Sequence, residues 1–177
     1  MSCPVRGGLI CAVLGALCYA GLAFGVLFPV DAPHFGHDIY NAYYYRLLEG
    51  GFDLPLRLLQ YEGHYKADGT GLLYHGAAPL LTRVLLAPFV ALNHFPTAAF
   101  SIWLWSVVGT GFYHLAAVQI TRRFSAGAQG YAPLLWSVVM GAGLWFCSPG
   151  LFLSANISLY HEPVSSTYAA TAAFVFL

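Results

Sequence analysis

Three carboxylates, Asp31, Asp38 and Glu162, are the groups in this chain best placed for acid–base chemistry. Asp38 follows Gly36 and His37 and stands directly before a tyrosine-rich stretch with a helical period. A helix N-terminus stabilises the ionised form of a carboxylate there, which can then take a proton from an attacking hydroxyl. The same position is a favoured N-cap, a role that needs no chemistry. Asp31 closes the first apolar run, where an acid also serves as a boundary with water. Glu162 is the sole acid after Asp68 and lies between two apolar runs, beside His161 and Pro163. An isolated ionisable group near membrane depth is a functional candidate by default, and a loop acid in water is the plain alternative.

Among the bases, Arg57, Lys66 and Arg83 could bind a lipid phosphate, or could be simple solvated or interfacial charges. His34, His37, His64, His75 and His161 are scattered with no His-x-x-x-His pair, so no metal is expected. Cys3, Cys11, Cys18 and Cys147 lie in or beside apolar runs without metal-ligand spacing and read as small packing residues. No cofactor is expected. Asn156 to Ser158 matches the glycosylation acceptor pattern, which is common by chance.

These groups need elements to position them, and the composition says what kind. Of 177 residues 59% are hydrophobic and 8% charged, with seven bases, seven acids and no net charge. A soluble domain carries roughly 25% charged residues, so this chain cannot cover a water-facing surface. The lack of a basic surplus excludes a nucleic-acid partner. The runs 7–30, 84–121 and 124–161 contain no Asp, Glu, Lys or Arg. Each is long enough for the roughly 20 residues a membrane helix needs.

The expected fold is an all-α membrane protein, a multi-span helical bundle with a large first outer loop carrying amphipathic juxtamembrane helices. Spans are expected at about 8–30, 98–120 and 131–153, with an incomplete one over 164–177. The first is longer than a signal-peptide core and reads as an uncleaved anchor, and its Gly21–Gly25 spacing suits close helix packing. The segment 76–92 is apolar but short, and it carries Arg83, Pro79 and Pro88. Placing it in the outer interface, with Arg83 snorkelling to headgroups, leaves Arg6 and the Arg122–Arg123 pair together in the cytoplasm. The outer loop is then 31–96. Within it Tyr40, Tyr43, Tyr44, Leu47 and Leu48 mark one face of a helix that Gly50 and Gly51 stop, and 62–74 reads as an irregular polar loop with a turn at Asp68–Gly69. Only 14 residues follow Pro163, too few to cross a core about 30 Å thick. The chain therefore reads as the N-terminal part of a longer fold.

The stretch 36–54, with Gly36, Asp38, Tyr40, the tyrosines to Tyr45, Leu47, Leu48 and Gly50, resembles the first outer loop of GT-C membrane glycosyltransferases. These are the bacterial relatives of protein mannosyltransferases and of the enzymes that add aminoarabinose to lipid A. The stretch 74–89, with Pro79, Arg83 and Pro88, looks like the family's juxtamembrane segment. Arg122–Arg123–Phe124 looks like its cytoplasmic turn, and Tyr160 to Pro163 like its second outer loop. Asp31, His34, Phe35 and Gly36 also resemble the mannosyltransferase motif, with Ala32 where that motif has Glu. The resemblance implies transfer of a sugar from a polyprenyl-phosphate donor to a glycan, lipid or protein acceptor at the outer face of the cytoplasmic membrane. Asp38 would be the general base, with Asp31 its rival and Glu162 a second carboxylate. His161, Lys66, Arg83 and Tyr40 would contact the substrates. The competing readings are a transporter or channel component using Glu162 and His114, and a truncated inactive membrane protein.

Overall fold

In the computed structural model of the chain, residues 3–27, 39–59, 63–73, 76–124, 132–155 and 160–177 are described. The protein is mostly helical. Its helices are α1 (Cys3–Ala23), α2 (Ile39–Leu48), α3 (Leu56–Leu59), α4 (Ala78–Leu86), α5 (Thr97–Phe124), α6 (Ala132–Phe146), α7 (Pro149–Ala155) and α8 (His161–Phe176). Among the described residues, two helical stretches, 97–123 and 132–155, are long and apolar enough to cross a membrane. The expected all-α class is corrected in one place. Short strands β1 (Leu54–Pro55), β2 (Gly63–Tyr65) and β3 (Thr70–Leu73) form an antiparallel sheet in the order β1-β3-β2.

Strands β2 and β3 fall in the segment 62–74 read as an irregular loop. Lys66 donates its N–H to the Thr70 carbonyl, and Gly69 closes the turn at φ +82°, a left-handed conformation that suits glycine. Asp68 Oδ1 accepts from both the N–H and the hydroxyl of Thr70, at 3.0 and 2.7 Å. Those bonds hold its carboxyl below the usual carboxylate range.

Helix ends follow from local chemistry. At the end of α2 the Gly50 N–H bonds to the Leu47 carbonyl and the Gly51 N–H to that of Arg46, with Gly50 at φ +80°. This is a Schellman stop. The same pattern ends α1, where Gly25 (φ 69°) and Val26 bond back to Leu22 and Gly21. The Gly21–Gly25 spacing thus terminates a helix, and Leu27 folds back over Gly21. The close helix approaches lie elsewhere, at Gly15 and Gly141 between α1 and α6, at Gly8 where α1 faces both α5 and α6, and at Gly109 between α5 and α8. Small residues at such crossings let helix backbones meet in an apolar medium. Pro149 breaks the third apolar stretch into α6 and α7, because proline cannot donate to the helix behind it.

Two separate hydrophobic clusters result. One joins α2 to the sheet and α4, through Ile39, Tyr40, Leu54, Leu59 and Leu80. The other centres on Cys11, Tyr19 and Trp145, with Trp103 and Val107 of α5 packed against it. Hydroxyls stitch the helices around this second cluster. The Tyr19 hydroxyl lies 3.2 Å from Thr110 Oγ1 and 2.9 Å from Ser148 Oγ, and Thr110 Oγ1 lies 3.1 Å from the Tyr168 hydroxyl.

Candidate functional site

Helix α4 packs against α2, α5 and α8. Pro79 in its first turn suits a helix start, and Pro88, two residues beyond Leu86, prevents its continuation. Nine residues rise only about 14 Å, so α4 cannot cross a membrane. One face buries Pro79, Leu80, Thr82 and Arg83, and the other leaves Leu81, Val84 and Leu85 more than half exposed.

Arg83 corrects the expectation of a snorkelling cation. Its side chain is fully buried and ion-paired through both terminal nitrogens with Glu162, in the first turn of α8. The Nη2–Oε2 distance is 3.2 Å. Nε donates to Asn41 Oδ1 at 3.0 Å and Nη1 to the Pro79 carbonyl at 3.3 Å. The guanidinium also sits 5.4 Å from the Tyr40 ring centroid. A charge removed from water must be paired and hydrogen-bonded, and this one is. The N-terminal end of α8 adds a favourable field for the Glu162 carboxylate.

Asn41 extends the arrangement. Its amide nitrogen donates to the Leu92 carbonyl at 3.1 Å, and Thr97 Oγ1 donates to the same carbonyl at 3.2 Å. Leu92 opens a 3-10 turn, Leu92–His94, that leads into α5. Thr82 Oγ1 lies 3.0 Å from Ser101 Oγ and accepts from Trp105 Nε1 at 3.0 Å. The first turn of α2, the inner face of α4, the start of α5 and the start of α8 are therefore joined by polar bonds. Within this cluster the Tyr40 hydroxyl is buried with no hydrogen-bond partner among the described residues. Burial pushes its pKa up, opposed by the nearby Arg83 charge.

Asp31 and Asp38 lie outside the described residues, as do His34, His37, His75 and the Asn156–Ser158 pattern. Asp38 immediately precedes Ile39, the first residue of α2. His161 is half-buried beside Glu162, its ring 5.6 Å from that of Phe152. Lys66 is exposed at the hairpin, 4.0 Å from Asp53 Oδ2. Asp53 is held mainly by Arg46, whose Nη2 lies 3.0 Å from Oδ1, and this keeps its carboxyl below the usual range. His114 Nδ1 accepts from Trp145 Nε1 at 3.0 Å. Indole nitrogen only donates, so this ring nitrogen carries no proton. No group of three His, Cys, Asp or Glu residues suited to a metal occurs among the described residues. Cys11, Cys18 and Cys147 are free thiols.

Sequence reasoning missed Asn41, Thr82, Ser101 and Trp105. It named Arg83 and Glu162 without joining them, although an arginine and a lone glutamate in apolar surroundings tend to find each other. Comparison with family models, curated proteins and solved structures returned no match.

Proposed function

We propose that the chain belongs to a GT-C type membrane glycosyltransferase, transferring a sugar from a polyprenyl-phosphate donor to a glycan, lipid or protein hydroxyl. Asp38 is the general base. It takes the acceptor proton as the hydroxyl oxygen bonds to the anomeric carbon. The bond from that carbon to the phosphate oxygen breaks, and the polyprenyl phosphate leaves with the electron pair. The observation that carries this reading is the rigid backing of the helix that follows Asp38. Tyr40 and Asn41, two and three residues on, are buried against the Arg83–Glu162 pair. A base must be held in place to act on a bound hydroxyl.

In this reading α1, α5, α6 with α7, and α8 cross the cytoplasmic membrane, with 31–96 outside and Arg122 and Arg123 in the cytoplasm. Lipid covers outward residues such as Leu9, Ile10, Leu17 and Leu135, each more than half exposed. The short α4 lies in the outer interface on Leu81, Val84 and Leu85. Lys66, exposed at the hairpin, meets the donor phosphate, and His161 faces the acceptor. A pathway role for Glu162 or His114 is not favoured, because Arg83 and Trp145 already engage them.

The test is transfer from labelled polyprenyl-phosphate sugar in membranes carrying the full-length protein. In Asp38→Asn the side chain can still accept a hydrogen bond in the way an N-cap does but cannot take a proton. It should lower the rate by about 100-fold or more with expression unchanged, and Asp31→Asn should be milder. Full activity in Asp38→Asn with loss in Asp31→Asn would move the base to Asp31.

A further inference from the structure

We infer that the Arg83–Glu162 pair is a positioning latch, which seats the unit formed by α2, the sheet and α4 on the helical bundle and fixes the first turn of α2. The two hydrophobic clusters share no member. Among the described residues, the side-chain bonds that join the α2–α4 unit to the bundle are Arg83 to Glu162, Thr82 to Ser101, Trp105 to Thr82, and Asn41 to the Leu92 carbonyl. The charged part of such a seam depends on complete pairing. Removing one partner leaves the other charged and dry, whereas an apolar seam tolerates trimming. Arg83 is the hub, since Asn41 of α2, Pro79 of its own helix and Glu162 of α8 all accept from its one guanidinium. The planar fork can satisfy these acceptors together, and a lysine cannot. The pair acts at a distance from chemistry: neither residue needs to touch substrate for its loss to misplace α2.

Within the proposed function the latch sets the helix that follows the general base, but its test does not depend on activity. Amide exchange is measured on the full-length protein in detergent for Glu162→Gln, Arg83→Lys and the reversal Arg83→Glu with Glu162→Arg. In both single variants the amides of α2 and β3 should exchange about tenfold faster or more, with the centre of α5 unchanged. The reversal should recover part of that protection, and only part, because Arg at the start of α8 opposes the helix field. Unchanged exchange in α2 would overturn the inference. Loss of protection in α5 as well would also overturn it, since the pair would then hold the whole bundle. Where transfer is measurable, both single variants should lower kcat with little change in the donor KM. Changed exchange with unchanged transfer would uphold the latch and count against the glycosyltransferase reading.

Discussion

The tyrosines show how a single hydroxyl can matter in opposite ways. Tyr19 is engaged by Thr110 and Ser148, whereas the equally buried Tyr40 has no partner for its hydroxyl among the described residues. Tyr19→Phe should cost roughly 0.5–1.5 kcal/mol, the usual net worth of an intramolecular hydrogen bond, seen as a lower unfolding temperature in detergent. Tyr40→Phe removes no bond and should leave that temperature nearly unchanged. If it impaired transfer all the same, the hydroxyl would be meeting a substrate. Asp53 supplies a pH dependence. Its folded-state pKa is depressed, chiefly by Arg46, so the stabilisation is present above the ordinary carboxylate value of about 3.9 and is lost as pH falls through the lower folded value. After correction for intrinsic rates, exchange in β1 and β3 should quicken on going from about pH 5 to about pH 2.5, and Asp53→Asn should flatten that rise. The residue scale was only half legible in the sequence. Arg83 and Glu162 stood out as charges in apolar company, but 79 positions separate them and no local pattern links the two.

At the scale of elements the sequence was far more readable, because helix formation in apolar runs and helix termination at Gly50 are local matters. The hairpin escaped notice because its strands are three and four residues long, too short to show an alternating pattern. Its Asp68–Gly69 turn was visible. Glycine roles were the other failure: Gly21 and Gly25 suggested helix contact but serve a helix end, while Gly15 and Gly109, without such spacing, mark true approaches. A Cβ at Gly15 would come within 2.6 Å of Trp145 Cβ, and one at Gly109 within 3.1 Å of Ala169 Cα. At Gly111 and Gly143 a Cβ would meet nothing within 4 Å. Gly15→Ala and Gly109→Ala should therefore destabilise by about 1–3 kcal/mol in thermal melts in detergent. Gly111→Ala and Gly143→Ala should cost nothing, because alanine is the better helix former. Equal effects at all four sites would mean that these crossings are looser than the backbone separations indicate.

On the scale of the whole molecule, the proposed topology makes a direct claim. Reporter fusions after residues 60, 126 and 158 should report outside, cytoplasm and outside. An outside signal at 126 would require another crossing before α5, and the nine-residue α4 would have to be rebuilt to provide it. Separation of the two cores also has a consequence for the order of assembly. Residues of the first cluster lie between Ile39 and Leu80, and ribosomes release that stretch long before Glu162. During this interval Arg83 has no carboxylate from α8. The small core can condense early and bond to the start of α5, but the seat around Arg83 is complete only when the fourth long helix arrives. Biogenesis thus proceeds from a loosely tethered folded knob to a seated one, with the arrival of α8 deciding the moment. Nascent chains stalled shortly before Glu162 should hold their hairpin yet leave the Arg83 segment open to modification, and release of a few more residues should close it.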